Sequence, residues 1–356
     1  MSEVTAISKF SCPGCGGEAV WTPAKSALVC PYCGTVSPAE LKADGSLIEE
    51  SDLATALRAL PEDQRGWAAA RKTVRCQSCQ AISVFDEKRV AQRCDFCGSP
   101  SLLDVNDIQA PIRPGSLLPF KIAEGQVREN IRRWYGSHFW ARSNLDAKAL
   151  TDTLHGLYLP YWTFDAHAEC PWRAEAGHHY YTRDSQGRQQ LQVRWVPASG
   201  HVSQDFDDIL VPASKGVHAA LLGALEPFPT ASELMPYDAG YLSGWVVEQY
   251  QIDLIESAQA SRHRMDAILR QACSRQVPGD TQRNLEIFPA YSRQTFKHVL
   301  LPVWLLTYTY GRKNYQVAVN GVTGNITGEY PLSWVKITIA VILGLILLFV
   351  IIQSQS

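Results

Sequence analysis

The longest apolar run of the chain lies near its C-terminal end. No charged residue occurs from Ile337 to Ile352, and counting from Trp334 the run covers nineteen residues. A helix of that length extends about 28 Å, close to the hydrocarbon thickness of a bilayer, about 30 Å. We therefore predict one transmembrane helix over residues 333–353, with Trp334 at the interface and Lys336 snorkelling towards the headgroups. The alternative is a buried hydrophobic helix, which would need a large core around a segment that is apolar on every face.

The flanking charges predict the orientation of this helix. Arg312, Lys313 and Lys336 all lie on its N-terminal side, and the QSQS that follows it carries no charge. Basic residues accumulate on the cytoplasmic side of a span, so we expect a single-pass protein whose N-terminal body is cytoplasmic. The opening sequence MSEVTAISKF has no apolar core of a signal peptide.

Periodic patterns predict a mixed body of fold class α+β. Apolar residues recur at helical spacing in AEGQVRENIRRWYGSHF (residues 123–139) and LIESAQASRHRMDAILRQACSRQ (residues 254–276), with strand-like segments such as GWVVEQYQIDL (residues 244–254) around them. Residues 51–72 contain a shorter helical pattern with a candidate N-cap at Ser51 and a break at Pro61. We interpret residues 41–72 as a helical connector.

One strand pattern occurs twice in the body. LYLPYWTFDA (residues 157–166) and LLPVWLLTYTY (residues 300–310) share Leu-Pro-x-Trp, and each continues into a polar turn and a return strand. Four matched residues alone can arise by chance, but the shared order of elements favours a duplicated antiparallel sheet unit. We expect the prolines at strand starts or edges and the tryptophans in the sheet core.

The cysteines add the strongest chemical signal. Of 356 residues ten are cysteines, and eight of them form two copies of C-x2-C, fourteen intervening residues and C-x2-C. The first tetrad is Cys12, Cys15, Cys30 and Cys33, and the second tetrad is Cys76, Cys79, Cys94 and Cys97. Two such pairs on facing hairpins complete a tetrahedral thiolate cage. We predict one structural zinc ion in each tetrad, two per chain, because four thiolates leave no open position for water.

Two alternatives accompany the zinc assignment. Iron also suits four thiolates, and the spacing alone does not exclude it. Disulfide bonds would need an oxidising compartment, which disagrees with a cytoplasmic body. Such small modules have almost no apolar core, so we expect metal binding to supply their folding free energy, on the order of 10–16 kcal/mol per site.

Other candidate sites carry weaker patterns. His167, Cys170, His178 and His179 could gather imidazoles and a thiol, but on a strand the first two point to opposite faces. The sequence DFDDI, residues 205–209, lacks the glycine and terminal glutamate of a calcium loop, and we interpret it as a solvated turn. Cys273 lies in a predicted helix at a position suited to burial.

The chain contains no recognised catalytic motif. G-x-S-x-G, H-E-x-x-H, G-x-G-x-x-G and the P-loop are all absent from the sequence, so we predict that the protein is not an enzyme. Nucleic-acid binding is also disfavoured, because residues 1–110 contain eleven Lys and Arg against fourteen Asp and Glu. Phosphate binding requires a basic surface, and each thiolate cage adds negative charge.

Taken together, Cys76 to Gly98, LPYWTFDA, NLEIFP, LLPVWLLTYTYGRKNYQVAVNGVTG and the apolar C-terminal span resemble a family of bacterial zinc-ribbon membrane proteins. Their ribbons are similar to the transcription-factor-IIB type, and some members carry labels borrowed from the primosomal helicase N′. The resemblance implies an association with SPFH-type, virion-core-like and phage-shock-type membrane systems, and hence a bacterial inner-membrane location. It supplies no catalytic residues.

These observations predict five segments. Zinc ribbon 1 covers residues 1–40, the helical connector 41–72, zinc ribbon 2 73–105, a β-rich α+β domain 106–332 and the transmembrane helix 333–353. The function we expect is a membrane-anchored adaptor or scaffold whose ribbons bind membrane-associated protein partners, with Trp334 to Ile352 in the membrane. The alternatives are a membrane-tethered nucleic-acid-binding protein and an enzyme with an unrecognised site in the β-rich domain.

Overall fold

The computed structural model describes residues 10–37, 48, 50–58, 72–85, 93–99, 102–104, 112–141, 154–183, 188–311 and 313–354. The strands are β1 Val20–Thr22, β2 Ala27–Val29, β3 Val36–Ser37, β4 Ser51–Asp52, β5 Lys72–Cys76, β6 Ile82–Phe85, β7 Leu102–Asp104, β8 Ser116–Leu117, β9 Leu154–Arg183, β10 Gln189–Pro212, β11 Met235–Pro236, β12 Val246–Glu248, β13 Thr281–Ile287, β14 Ala290–Tyr310, β15 Lys313–Asn320 and β16 Ile326–Gly328. The helices are α1 Leu53–Arg58, α2 Glu124–Ser137, α3 Ala219–Ala224, α4 Thr230–Glu233, α5 Leu254–Gln276 and α6 Trp334–Ser354, with 3-10 turns at Pro23–Lys25 and Ala239–Leu242.

A large mixed sheet forms the body of the protein. Thirteen of the described strands belong to it, in the order β11-β8-β14-β9-β12-β6-β5-β7, with β4, β10, β13, β15 and β16 pairing alongside. At its centre the long strands β9 and β14 run antiparallel, and each turns back into a partner, β10 or β15. Strands β1 to β3 form a separate small sheet. The predicted α+β class is confirmed at this level.

The two Leu-Pro-x-Trp segments lie side by side in this sheet. Leu159 pairs directly with Leu301, so the two copies face each other in antiparallel register. The parallel neighbour of each copy is also matched, since β12 pairs with β9 at Leu157 and β8 pairs with β14 at Val299. The sheet therefore has a local pseudo-twofold arrangement around the Leu159–Leu301 pair.

Each tryptophan of the repeated segment bonds to the lead-in of a helix. The Trp162 indole donates to the Ile252 carbonyl at 3.0 Å, just before α5, and the Trp304 indole donates to the Ile122 carbonyl at 3.0 Å, just before α2. Both tryptophans are buried, as expected. Helix α2 with hairpin β9–β10 makes up one half of the body, and α5 with hairpin β14–β15 makes up the other. The hairpin of each half thus bonds to the segment that precedes the helix of the other half.

The prolines of the repeated segment were expected at strand starts or edges, and this is wrong. Pro160 lies inside β9, between Tyr158, which pairs with β12, and Tyr161, which pairs with β10. Pro302 lies in β14 at the matching junction between its neighbours β8 and β15. A residue without an N–H is tolerated there because the neighbouring strand changes at that point.

The helices cover the sheet with their apolar stripes. Helix α2 buries Val127, Ile131 and Tyr135 at four-residue spacing, and α5 buries a longer stripe that ends at Cys273. Helix α1 is capped by the Asp52 carboxylate, which accepts from the Thr55 amide at 2.7 Å. The predicted cap at Ser51 is wrong by one residue, because α1 begins at Leu53 and Asp52 directly precedes it. Pro61 and most of the predicted connector lie outside the described residues.

Helix α6 is separate in character from the body. From Trp334 to Gln353 it is the one helix, within the ranges given above, that is long and apolar enough to cross a membrane. Its side chains are exposed along most of its length, so no protein core surrounds it. A helix that is apolar on every face and uncovered by protein is suited to a lipid environment.

Candidate metal centres

Each tetrad is built from two copies of one backbone turn. In every copy the carbonyl of the first cysteine accepts from the amide four residues later, and its own N–H donates to the carbonyl five residues later. The amide-to-carbonyl bonds are Gly16 to Cys12 at 2.8 Å, Gly34 to Cys30 at 2.9 Å, Gln80 to Cys76 at 3.0 Å and Gly98 to Cys94 at 2.8 Å. This turn brings both sulfurs of a C-x2-C pair to one side.

The residue that closes each turn has a left-handed backbone. Gly16, Gly34 and Gly98 have φ of 72°, 73° and 72°, and Gln80 has φ of 64°. Glycine adopts this conformation freely, whereas a side chain raises the energy by about 1–2 kcal/mol. The side-chain amide of Gln80 donates to the Gln77 carbonyl at 2.8 Å, which adds a local hydrogen bond to the one turn that lacks glycine.

The four sulfurs of each tetrad converge. Their Sγ atoms all lie within 4.8 Å of one another in both groups. The shortest separations are Cys12 to Cys33 at 3.4 Å, Cys15 to Cys30 at 3.5 Å, Cys76 to Cys97 at 3.5 Å and Cys79 to Cys94 at 3.6 Å. A tetrahedral ion with metal–sulfur bonds of about 2.3 Å needs sulfurs about 3.8 Å apart, so a small adjustment makes room for one. Both tetrads can hold a metal ion.

Within each tetrad the hydrogen bonds favour the thiolate form of some cysteines and the thiol form of others. The Thr35 hydroxyl lies 3.1 Å from the Cys33 sulfur, and hydrogen bonds from the Thr35 side chain and backbone lower the pKa of Cys33 to about 6. In the second tetrad, hydrogen bonds from Cys79 and Cys94 lower the pKa of Cys97. Metal binding releases thiol protons, so each tetrad offers at least one ligand that is already biased towards the charged form.

The two tetrads differ in how deeply they are set. In the first, Cys12 and Cys30 are buried, and Cys15 and Cys33 are exposed. In the second, no cysteine is exposed, and the two that are not buried are only half-buried. The residue before the last cysteine makes the contrast sharper: Tyr32 in the first tetrad is 80% exposed, and Phe96 in the second is fully buried.

The first tetrad docks on the body through one tryptophan. Trp21 of β1 donates its backbone N–H to the Ser243 carbonyl at 3.1 Å and its indole N–H to the Phe120 carbonyl at 3.3 Å. Ser243 returns a hydrogen bond to the Ala19 carbonyl at 2.8 Å. The Trp21 ring also packs edge-on against Tyr241.

The second tetrad is continuous with the large sheet. Strand β6 pairs with β12 at Val84–Val247 and Ser83–Glu248, so its hairpin is part of that sheet. The Phe96 carbonyl accepts hydrogen bonds from Thr307 and Gln316. Because Ser243 and β12 belong to one short segment, residues 243–248 contact the hairpins that carry both tetrads, at Trp21 and at β6. Sequence spacing does not mark this role, and only the strand pattern of the segment is visible in the sequence.

The histidine and cysteine candidates of β9 are not brought together. His167 faces Asp205 and Glu169, whereas Cys170 points into the core, where its sulfur lies 3.8 Å from that of Cys273. Both of these cysteines are fully buried, as predicted for Cys273. His178 and His179 lie farther along the strand, where His179 bonds through its backbone to Asp280. The predicted divergence of His167 and Cys170 is confirmed.

His167 belongs instead to a polar network across the hairpin. Its ring nitrogens lie 2.7 Å from Asp205 and 2.9 Å from Glu169, and Glu169 also contacts His201 at 2.8 Å and Ser203 at 3.0 Å. Hydrogen bonds donated by the ring to Asp205 and then to Glu169 raise the pKa of His167. Glu169 lies two residues away on β9, whereas Asp205, His201 and Ser203 come from β10, and no sequence spacing marks those three.

The acidic segment at residues 205–209 is not the solvated turn that we expected. It lies within β10 at a register shift, where Asp208 has φ of 52°. Asp165, Asp207 and Asp208 could group around a cation. However, the Lys297 ammonium already lies 2.8 Å from Asp208 and 3.7 Å from Asp165. Burial alone would lower the pKa of Lys297, but these carboxylates raise it above its ordinary value.

Comparison with known proteins finds similarity along nearly the whole chain. The uncharacterized protein YdjG of Bacillus subtilis (strain 168) is 25% identical over 334 residues, which cover 93% of this chain and 92% of the relative. No protein-family profile matches the chain. No solved structure matches it.

Proposed function

We propose that this protein is a membrane-anchored adaptor, in which two structural zinc ions hold a rigid cytoplasmic head and the C-terminal helix holds that head at a bacterial inner membrane. The observation that carries the proposal is the union of both tetrads with one body that ends in helix α6. Residues 243–248 contact the hairpins of both tetrads, through Trp21 and through β6, so a short stretch of backbone links the two sites.

Zinc is the proposed occupant of both tetrads. Four convergent sulfurs per site complete a tetrahedral coordination shell, which leaves no position for a water or substrate. Such a site stabilises a fold rather than performing a reaction. Iron in the same cages is the competing outcome, and elemental analysis of the purified protein distinguishes the two metals.

The two tetrads have different tasks in this proposal. The second fastens a hairpin into the large sheet, since its Phe96 is buried in the body. The first presents Tyr32, 80% exposed, and the partly exposed Val36 beside an accessible pair of thiolates. An exposed aromatic on a rigid turn is suited to binding a protein, because tyrosine contributes a large contact area at little conformational cost. We therefore assign partner recognition to the first tetrad.

The repeated hairpins support the same architecture. The matched hydrogen bonds of Trp162 and Trp304, and the matched positions of Pro160 and Pro302, favour an internal duplication of the β-rich body. A duplicated, interlocked body suits a spacer between a membrane anchor and a recognition surface. The association with SPFH-type or phage-shock-type systems belongs to this proposal and rests on the family resemblance alone.

Recovery of partners from native membranes tests this function. Full-length protein would be cross-linked in its own membranes and purified at low and at moderate salt, for the wild type, Tyr32→Ala and Tyr181→Ala. Tyr181 is a matched control, because it is 70% exposed but lies near the far end of β9. We expect one stoichiometric protein partner with the wild type and the control, and its loss with Tyr32→Ala, while all three retain two metal ions.

Two results would contradict the proposal. The same partner recovered at the same yield from Tyr32→Ala would remove recognition from the first tetrad. Recovery dominated by nucleic acid, and lost at moderate salt, would favour the membrane-tethered nucleic-acid-binding alternative, because affinity for phosphates falls steeply with salt concentration.

A further inference from the structure

Exposed apolar side chains gather where helix α6 leaves the body. Phe139 and Trp140, in the loop after α2, are 69% and 41% exposed. Leu332, Trp334 and Val335, at the start of α6, are 51%, 73% and 66% exposed. Contiguous exposed apolar groups are uncommon on soluble surfaces and mark a site of contact with another phase or molecule.

Specific bonds hold the loop of residues 138–141 against the first turn of α6. The Lys336 ammonium donates to the Phe139 carbonyl at 3.0 Å and to the Ala141 carbonyl at 2.9 Å. The Ser333 amide donates to the Trp140 carbonyl at 2.9 Å, and Ala141 forms an isolated bridge with Leu332. Lys336 is therefore engaged by the loop, and the loop lies at the depth at which α6 begins.

The aromatic side chains of this loop lie beyond the apolar stripe that fixes α2 to the core. Helix α2 is fixed through Val127, Ile131 and Tyr135, which all face the core. Past the end of that helix, the Phe139 and Trp140 rings contact each other edge-on at 5.1 Å, and the Lys336 ammonium lies 5.5 Å from the Phe139 ring. Most of the Phe139 ring and part of the Trp140 ring therefore remain exposed.

We propose that residues 138–141 form a second membrane contact beside α6, with Phe139 and Trp140 in the headgroup region of the bilayer. This inference rests on the proposed anchoring of α6 in a membrane. The occupant is lipid rather than protein because the loop is continuous with the start of α6, and aromatic residues favour that depth of the bilayer. Two contacts fix the tilt of the body, which a single helix after a flexible joint would leave free.

Site-specific photo-cross-linking tests this second contact. Full-length protein with p-benzoylphenylalanine in place of Phe139, Tyr181 or Leu345 would be reconstituted into vesicles of phosphatidylcholine and phosphatidylglycerol and then irradiated. Tyr181 is the exposed aromatic control, with nearly the same exposure as Phe139, and Leu345 reports on the span itself. Mass spectrometry would identify lipid and protein adducts at each position.

We expect lipid adducts at positions 345 and 139 and none at 181. Lipid adducts at 345 without any at 139 would overturn the second contact and leave the anchor intact. Adducts of position 139 with another protein chain would overturn it as well, because the loop would then be a protein interface. An absence of lipid adducts at 345 would overturn the membrane anchor of the proposed function, and the second contact with it.

Discussion

Removing ligands from the second tetrad should destabilise the protein far more than removing them from the first. The comparison uses two double variants, Cys76→Ser with Cys79→Ser and Cys12→Ser with Cys15→Ser. Each removes two thiolates from one site and leaves the other site complete. The structure predicts unequal effects because only the hairpin of the second tetrad, β5–β6, belongs to the large sheet.

The expected magnitudes follow from the contacts of each tetrad. A structural metal of this kind contributes on the order of 10–16 kcal/mol, and a domain has a free energy of unfolding of about 5–15 kcal/mol. Loss of the second metal releases β6 and the buried Phe96, so we expect the body to lose most of its stability. Loss of the first frees a small separate sheet, and the cost to the body is that of undocking Trp21, about 3–5 kcal/mol by analogy with deleting a buried large aromatic.

Thermal unfolding of the full chain in detergent micelles measures this difference. Near-ultraviolet circular dichroism reports the packing of the body, and elemental analysis confirms one ion per chain in each variant. The first-tetrad variant should keep a cooperative transition at a reduced temperature, whereas the second-tetrad variant should have none. Equal transitions in the two variants, or a larger loss in the first, would refute the argument that the second metal stabilises the sheet.

Three further predictions concern the anchor, a buried histidine and the repeated tryptophans. Deleting residues 334–356 should release the protein into the soluble fraction, and a truncated protein that resists alkaline carbonate extraction would contradict a single C-terminal anchor. Burial lowers the pKa of His298 to about 4 from 6.5, so the unfolded chain binds the proton more tightly. The free energy of unfolding should therefore fall by about 3 kcal/mol as the pH drops through this window, and denaturant titrations of His298→Gln should lack this component. Trp162→Phe and Trp304→Phe should each lower the free energy of unfolding by about 1–3 kcal/mol, because each removes a hydrogen bond to a part-buried carbonyl and leaves a small cavity in the core. A much larger effect of one than of the other in urea unfolding would contradict their equivalence.

Local patterns predicted the local structure well. The helix expected over residues 254–276 begins and ends at those residues, and both sets of four cysteines converge. These features depend on contacts within one turn or between neighbouring hairpin strands, so residue type and spacing determine them. A glycine directly follows three of the four cysteine pairs, and this pattern indicates the left-handed backbone found at Gly16, Gly34 and Gly98. Gln80 occupies the fourth position and is the exception.

Contacts between distant segments could not be predicted from spacing. The burial of Phe96 depends on Thr307 and Gln316, more than 200 residues later in the chain. The pairing of His167 with Asp205 depends on the register of β9 and β10. The tolerance of Pro160 depends on which strand lies beside it. In each case the deciding neighbour is fixed only when the sheet has assembled.

The exchanged tryptophan bonds also determine when the chain can finish folding. Trp304 must reach Ile122, 182 residues earlier, before the lead-in of α2 is satisfied, so neither half of the body can close by itself during synthesis. Such long-range closure is slow and leaves strands unpaired while the ribosome is still at work. The last strand of the sheet, β16, ends at Gly328 and α6 begins at Trp334, so the segment that completes the body is made shortly before the apolar helix. Folding of the body and synthesis of this helix therefore fall within the same short stretch of translation.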